Sequence, residues 1–511
     1  MFALVLPNLA LLSLGFFSMA LLKFIGHLIC VRIQLRHVPG PRISSLIWGE
    51  EWSLYHNMPG SLQADWHNRY GKLVRFSGAF GHQIISITDP RAISFILNEG
   101  IYSFPKPIGV RAWFKATLGE GILWVEGKDD HERQRRTLAP ALSPQAVRNL
   151  TYIFHETSTK LASQWGKIID ESTEDSTEIE ATHWAGRFAL DTIGRAAFSY
   201  DFGCLEGGPH SLAETLDGLT NTENNLSSFY IRALFWVFPS ILRIGVKGEM
   251  IKKTKLELGE VASKMWQGAK ESGDAEERTM LAMINRDAPQ RMDEEQVVSQ
   301  MRTTISAGYE TVTAVVSWLL YELACNPDIQ EQLREETVTA INSTFDKLNS
   351  KYPLLDAVLN ETLRLHPAIL ENHHEAGETI NIPLSEPIPG TNDLHLIVPK
   401  GTLITIPVNV LQTDPSIWGP DAHLFRPERW IERKQEGLRP YGREIFAFSK
   451  GPRSCIGKAF AIAEIKVLTI TILRHFSFTC PYKIEPFQSF VIRPRVKGQG
   501  PSSLPLIVRR I

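Results

Sequence analysis

Cysteine is scarce in this sequence. Five are spread over 511 residues, Cys30, Cys204, Cys325, Cys455 and Cys480, and no two make a C-x-x-C pair. That excludes a disulfide framework and a multi-thiolate zinc site, so any cysteine that matters acts alone. An excess of one charge is also missing: 54 Lys and Arg balance 56 Asp and Glu, for a formal net charge of −2. No nucleic acid is expected as a partner, because such binders carry a basic surplus. Internal repeats, low-complexity tracts and a G-x-G-x-x-G strand–turn–helix are absent as well. The chain therefore carries no dinucleotide or flavin domain of that type. What it does have is an ordinary globular balance, 43% hydrophobic and 22% charged, too apolar for disorder.

Long apolar runs are confined to the N-terminus, where no charged residue precedes Lys23. As a helix, 22 residues would span about 33 Å, enough for a hydrocarbon core of about 30 Å. Lys23, Arg32, Arg36 and Arg42 follow, with no acid before Glu50. That flank should stay cytoplasmic, leaving the short N-terminus across the bilayer. A cleaved signal peptide is the alternative, with Ser18-Met19-Ala20 as a small-residue site. Against it, the run has no basic n-region and is long for a signal core. We therefore expect a transmembrane anchor over 1–22 and a basic, proline-rich hinge over 23–45, followed by one large domain over 46–511. In the hinge, Val38-Pro39-Gly40-Pro41 stiffens the exit from the anchor.

Beyond the hinge, Lys72–Ser77 and Gln83–Thr88 alternate about Gly78-Ala79-Phe80-Gly81 and read as a hairpin. Asp89-Pro90 opens the next helix. From about residue 130 to 341 the pattern is largely helical, broken at Gly207-Gly208-Pro209 and near Gly273. The acidic stretch Asp170–Glu180 reads as a solvated loop or helix end. Asp293 and Gln296 spell a D-x-x-Q capping box. It opens a helix of about 32 residues, or about 48 Å, that stops at Asn326-Pro327. Short strands follow at Leu403–Pro407, Phe476–Cys480, Phe490–Ile492 and Pro505–Val508. The expected fold is mainly α with a minor β region.

The chemistry concentrates in Phe448-Ser449-Lys450-Gly451-Pro452-Arg453-Ser454-Cys455-Ile456-Gly457. Cys455 stands just ahead of an apolar helix beginning near Ala459, where backbone N–H groups and the helix dipole lower a thiol pKa. Gly451 permits a tight turn, Gly457 lets a flat ligand approach the backbone, and Arg453 offers a cation to a carboxylate. A lone cysteine is ordinarily an inert core residue. The spacing F-x-x-G-x-R-x-C-x-G has five fixed positions, however, which chance produces in such a chain on the order of 10⁻⁴. This loop resembles the haem-binding loop of the cytochrome P450 family of haem-thiolate monooxygenases. The P-G-P hinge and an H-x-R-Q-R-R segment look most like its microsomal fungal members.

The resemblance implies a single large helical haem-thiolate domain holding haem b (iron protoporphyrin IX). Cys455 would be the axial iron ligand, with Phe448 beside the sulfur and Arg453 on a haem propionate; such a thiolate donates electron density to iron. Ala307-Gly308-Tyr309-Glu310-Thr311 matches the family's A-G-x-[D/E]-T midway along the long helix. There Gly308 would open space for dioxygen, Thr311 would offer a hydroxyl to oxygen and water, and Glu310 would relay protons from solvent. Taken alone, the pentad is an ordinary helix with one exposed acid. Glu361 and Arg364 of Glu361-Thr362-Leu363-Arg364 share a helix face. Alone they would be a surface pair worth at most about 1 kcal/mol. With Arg429 of Phe425-Arg426-Pro427-Glu428-Arg429-Trp430 the family builds from them a buried network that serves haem incorporation and folding. His131 and Arg135, at i and i+4, would hold propionates by charge-assisted hydrogen bonds, or else belong to a solvated basic face. Seven residues past Pro367 the family commonly has arginine; this chain has His374, a weaker carboxylate partner when neutral.

The activity so implied uses O2 and two NADPH-derived electrons to hydroxylate or epoxidise an apolar molecule. The electrons would come from NADPH-cytochrome P450 reductase, with cytochrome b5 as a further donor, docked on Lys450, Lys458, Arg133 and Arg443. Ala368–Asn372, Trp113, Phe114, Trp124 and the long helix before Thr311 would line the pocket. That apolar lining suits a terpenoid or similar lipophilic intermediate of specialised metabolism. The anchor implies membrane lipid as a partner and the endoplasmic reticulum membrane as the location, with the catalytic domain on the cytosolic face. Two other readings stay open. One is a reductase-independent haem-thiolate isomerase or dehydratase, against which the intact Glu310-Thr311 argues; the other is a non-enzymatic haem sensor or scaffold.

Overall fold

The computed structural model describes residues 15, 18, 19, 22–208, 210–220, 226–272, 292–437, 445–488 and 490–511. The expected anchor over 1–22 lies almost wholly outside the described residues, as do Pro209, Gly273 and Arg443. Among the described residues no helix is long and apolar enough to cross a membrane. A helical stretch is described over 22–34. Its Val31, and Leu35 just beyond it, are buried against the body, while Leu22, Ile25, Ile29 and Ile33 are exposed. Those four fall on one helical stripe.

Helices dominate, and strands are the minor part. β1 (Leu73–Ser77) and β2 (Gln83–Ile87) form the expected hairpin, β3 is Ser176–Glu180, and β4 to β7 are Glu371–Glu375, Ile380–Pro383, His395–Val398 and Leu403–Pro407. β8 (Phe476–Thr479), β9 (Ile484–Gln488), β10 (Ile492–Val496) and β11 (Pro505–Arg510) complete the set. The largest sheet has the order β1-β2-β7-β4, with only β2 and β7 parallel. Two strand expectations are corrected. Part of Asp170–Glu180, expected as loop, is β3, which pairs with β11 and buries Ile179 against Leu506. Its acidic neighbours conceal one inward side chain, as at many sheet edges. Phe490, expected in a strand, lies instead between β9 and β10, an antiparallel pair that the sequence hides behind Glu485, Pro486, Arg493 and Arg495.

The helices that position the site are α1 (Pro90–Leu97), α2 (Ile108–Thr117), α3 (Lys128–Leu138), α4 (Pro144–Glu171), α5 (Ala181–Phe198), α6 (Ser211–Thr220), α7 (Glu294–Cys325), α8 (Pro353–Leu365) and α9 (Lys458–His475). Asp89 caps α1 by accepting from the Arg91 and Ala92 amides. The Asp293–Gln296 capping box is formed, and α7 runs 32 residues to Asn326. Buried on nearly every side, α7 is the axis of the helical core. α5 lies along it, and α4 packs on α9 with Phe154 edge-on to Phe460 at 4.9 Å.

Gly308 belongs to that packing. A Cβ at this position would come within 3.1 Å of the Ile193 side chain on α5, so the glycine admits a neighbouring helix. The residue with open surface on this turn is Ala307. Gly308→Val should therefore cost about 1–3 kcal/mol in denaturant unfolding, with part of the loss recovered by Ile193→Ala. An unchanged midpoint would show that α5 does not press on this turn.

Candidate functional site

The site stands on a buried charge network. Glu361 and Arg364, one turn apart on α8, pair through two bonds of 2.7 and 2.8 Å, and both side chains are 0% exposed. Arg429 donates from Nε to the same carboxylate at 2.9 Å, and Trp430 Nε1 and the Arg426 amide add bonds of 2.9 and 3.0 Å. The other nitrogens of Arg364 reach the carbonyls of Gln412, Ala422 and Leu424, and those of Arg429 reach Trp418 and Asp421. Each guanidinium nitrogen thus has an acceptor, the condition under which a buried ion network is tolerated. Gln412 links this network to the cysteine loop. Its Nε2 donates to the Leu363 and Arg364 carbonyls, and its Oε1 accepts from the Phe446 amide. No sequence signal marks that glutamine.

The loop closes on itself above the network. The Cys455 amide donates to the Phe448 carbonyl at 2.8 Å and the Ser454 amide to the Gly451 carbonyl at 3.0 Å. Gly451 has φ +70°, and a Cβ there would lie 1.8 Å from the Leu97 carbonyl oxygen, so only glycine seats the loop against the end of α1. At Gly457 a Cβ would meet nothing within 4 Å. The Phe448 ring lies 5.6 Å from the Lys458 ammonium. Cys455 is enclosed by protein, yet it keeps accessible surface. It borders a cavity of about 440 Å³ with Arg135, Leu142, Phe345, Lys458 and Ile462. Burial pushes its thiol pKa up, outweighing the Gly457 amide, Arg135 and Lys458, which pull it down. The lowered pKa expected from the helix terminus is therefore corrected. Desolvation exceeds the dipole here, and a lasting thiolate needs a metal cation on the sulfur.

Beside the loop, cations gather around one carboxylate. Glu126 binds Lys106 at 2.7 Å and Arg453 at 2.5 Å. Arg135 donates to the Ser454 carbonyl at 2.9 Å; His131 Nδ1 lies 3.1 Å from the Tyr102 hydroxyl, and His374 Nδ1 lies 3.1 Å from the Phe104 carbonyl. The structure thus assembles Arg453, Arg135, His131 and His374, and adds Lys106, Tyr102 and Glu126, which no motif contains. Burial, then Arg453, Lys106 and Arg135, push His131 down to about 4. Burial chiefly holds His374 at about 4 and Lys106 at about 8. Both imidazoles are neutral at pH 7, so the charge assistance expected of His131 falls to the two arginines and Lys106. Arg453 Nε is buried without a partner. Three cations around one carboxylate, with a guanidinium N–H unsatisfied, favour a further anion.

The motif on α7 divides between two faces. Thr304, Ser306, Ala307, Gly308 and Thr311 keep accessible surface on this stretch, and Thr311 Oγ1 donates to the Ala307 carbonyl at 2.8 Å. Glu310 points elsewhere. It is 2% exposed and pairs at 2.7 Å with Arg493 of β10. The carboxylate expected to relay protons is thus buried and ion-paired. Of the expected pocket aromatics, Trp113 stacks on Phe490 at 6.0 Å, Phe114 meets the same ring edge-on at 6.1 Å, and Trp124 lies under Arg111 and Lys115. Ala368 and Leu370 are buried, and Asn372 Nδ2 is buried without a partner.

The helical body presents an accessible cysteine, Cys455, at the mouth of α9. The cytochrome P450 family profile matches residues 37–499. Cytochrome P450 monooxygenase claQ of Ampulloclitocybe clavipes is 33% identical over 92% of each chain, and claP of the same fungus is 32% identical over 97% of each. Cytochrome P450 monooxygenase 205 of Postia placenta is 30% identical over 98% of each. The chain belongs to the cytochrome P450 family and is a monooxygenase, which implies haem iron with a cysteine thiolate ligand. The residues present fit that group. Sulfur surface is accessible, the backbone at Gly457 is open, and the cluster sets three cations against the single carboxylate of Glu126.

Glu361→Gln should destabilise the protein by about 3–5 kcal/mol in denaturant unfolding, because two buried guanidinium groups lose their counter-charge. A midpoint equal to that of the parent would remove the network from its supporting role.

Proposed function

We propose that this monooxygenase oxidises a lipophilic small molecule, a terpenoid or similar specialised-metabolism intermediate, with NADPH-derived electrons from a separate reductase. The observation that carries the reading is the accessible Cys455 sulfur ahead of α9, flanked by cations in excess of carboxylates. Cys455 Sγ would bind the iron of haem b, and Arg453, Arg135 and Lys106 would hold its propionates, with the neutral rings of His131 and His374 packed beside them. When bound, the haem supplies the activation of dioxygen. Ala307 would leave room beside α7, Thr311 would hold a proton at Oγ1, and Glu310 would supply protons once freed from Arg493. Trp113, Phe114 and Phe490 give the apolar surface that selects the substrate.

The absence of a dinucleotide fingerprint supports a separate electron donor, and Lys458, exposed next to the loop, supports its docking there. A membrane location is supported by the exposed stripe Leu22, Ile25, Ile29 and Ile33, and by exposed Ile47, Phe80 and Phe238. Phe80 and Phe238 meet edge-on at 5.7 Å, so those apolar side chains adjoin. We place the enzyme on the cytosolic face of the endoplasmic reticulum, tethered by residues 1–22.

A screen of terpenoids and other lipophiles for haem spin shifts, then turnover with NADPH and reductase, should yield products heavier by one oxygen atom. Turnover without NADPH would favour an isomerase instead. Cys455→Ser should abolish the thiolate-type absorption of the ferrous carbon monoxide adduct and reduce turnover to background; an unchanged spectrum would exclude Cys455 as the ligand. Lys458→Glu should slow reductase-supported turnover at low salt, with the deficit shrinking as salt rises. Equal rates across the salt range would remove that docking site.

A further inference from the structure

The cation that holds Glu310 is shared. Arg493 donates from Nη2 to Glu310 at 2.7 Å and from Nη1 to Asp217 of α6 at 2.9 Å. Arg493 is 1% exposed and the Asp217 side chain 33%. The backbone just before Arg493 is fixed: the Ile492 amide donates to the Ala368 carbonyl, and the Ile492 carbonyl accepts from Trp318 Nε1. The guanidinium carbon lies 5.9 Å from the Tyr309 ring centre. Burial opposes the charge on Arg493, but Glu310 and Asp217 outweigh it and raise its pKa. One positive charge therefore serves two carboxylates from two helices.

A carboxylate bound to arginine is held ionised and in place. Glu310 cannot hand a proton toward Thr311 while that pair is closed. Asp217 competes for the same guanidinium, so its presence weakens the hold on Glu310, and its removal leaves Arg493 to Glu310. We propose that Arg493 is a positioning residue that divides its charge between Glu310 and Asp217, making proton delivery at Thr311 depend on how α6 is seated. This rests on the reading of Glu310 as the proton source. The step moves protons only: the freed carboxylate takes one from solvent hydronium, leaving water, and passes it to Thr311 Oγ1 as that hydroxyl gives its own proton to the water beside it, so both side chains return to their starting forms.

The test uses the holoenzyme with reductase and the terpenoid that gives product in the screen above. Asp217→Asn should lower kcat by at least about threefold and raise the solvent deuterium isotope effect, while the spin-shift Kd stays within about twofold. Glu310→Gln should lower kcat further, and adding Asp217→Asn to it should have no additional effect. Hydrogen exchange of the α6 amides should quicken in Asp217→Asn and in Arg493→Gln, a readout independent of turnover. If Arg493→Gln does not fold, Asp217→Asn still decides the matter. Parent-like kcat and isotope effect in Asp217→Asn, beside a slow Glu310→Gln, would overturn the shared charge and leave the relay standing. A parent-like Glu310→Gln would overturn the relay and the shared charge with it.

Discussion

Two guanidinium groups and one carboxylate share a site from which water is excluded, and the cysteine loop is attached to them through Gln412. The carboxylate of Glu361 accepts from Arg364, Arg429, Trp430 and a backbone amide, so its charge is fully compensated without solvent. Such an arrangement is rigid because any displacement strands a charge in a low-dielectric interior. Gln412 passes that rigidity on by bonding the end of α8 on one side and Phe446 on the other. Gly451 completes the seating from the opposite direction, against α1. The loop that presents Cys455 is thereby fixed at both shoulders while its sulfur keeps open surface.

Charge is left unbalanced in two places, with opposite signs. Around Glu126 the cations outnumber the carboxylates, and the cost appears in the depressed pKa values of Lys106 and His131. Around Arg493 the carboxylates outnumber the cation, and the cost is met by leaving Asp217 partly in water. Surplus positive charge beside an accessible sulfur supports an anionic cofactor edge there. Surplus negative charge behind α7 supports proton traffic. The hydrogen-bonded network under the loop lies apart from both functions and serves as their foundation.

Much of this was legible in residue order wherever the physics is local. The capping box at Asp293, the i, i+3 spacing of Glu361 and Arg364, and the glycine-bracketed loop around Cys455 involve residues close along the chain. Burial and long-range partners were not legible. Glu310 and Arg493 lie 183 positions apart, and their meeting depends on how β10 packs on α7. Ile179 was hidden among acids because sheet pairing with β11, over 300 residues away, decides which side faces inward. The packing of Gly308 was hidden for the same reason, since its neighbour Ile193 comes from another helix.

The sequence by itself determined the class of chemistry: one cysteine in a loop of five fixed positions, an alcohol and an acid adjacent on a long helix, and acid and base residues spaced to pair. Those are short-range patterns, and short-range geometry follows from backbone periodicity alone. Only the tertiary structure decided the state of each group. It made His131 and His374 neutral, raised the Cys455 thiol pKa, and locked Glu310 to a shared cation. Solvent exclusion and the sum of distant charges set a protonation state, and neither exists until the chain has packed.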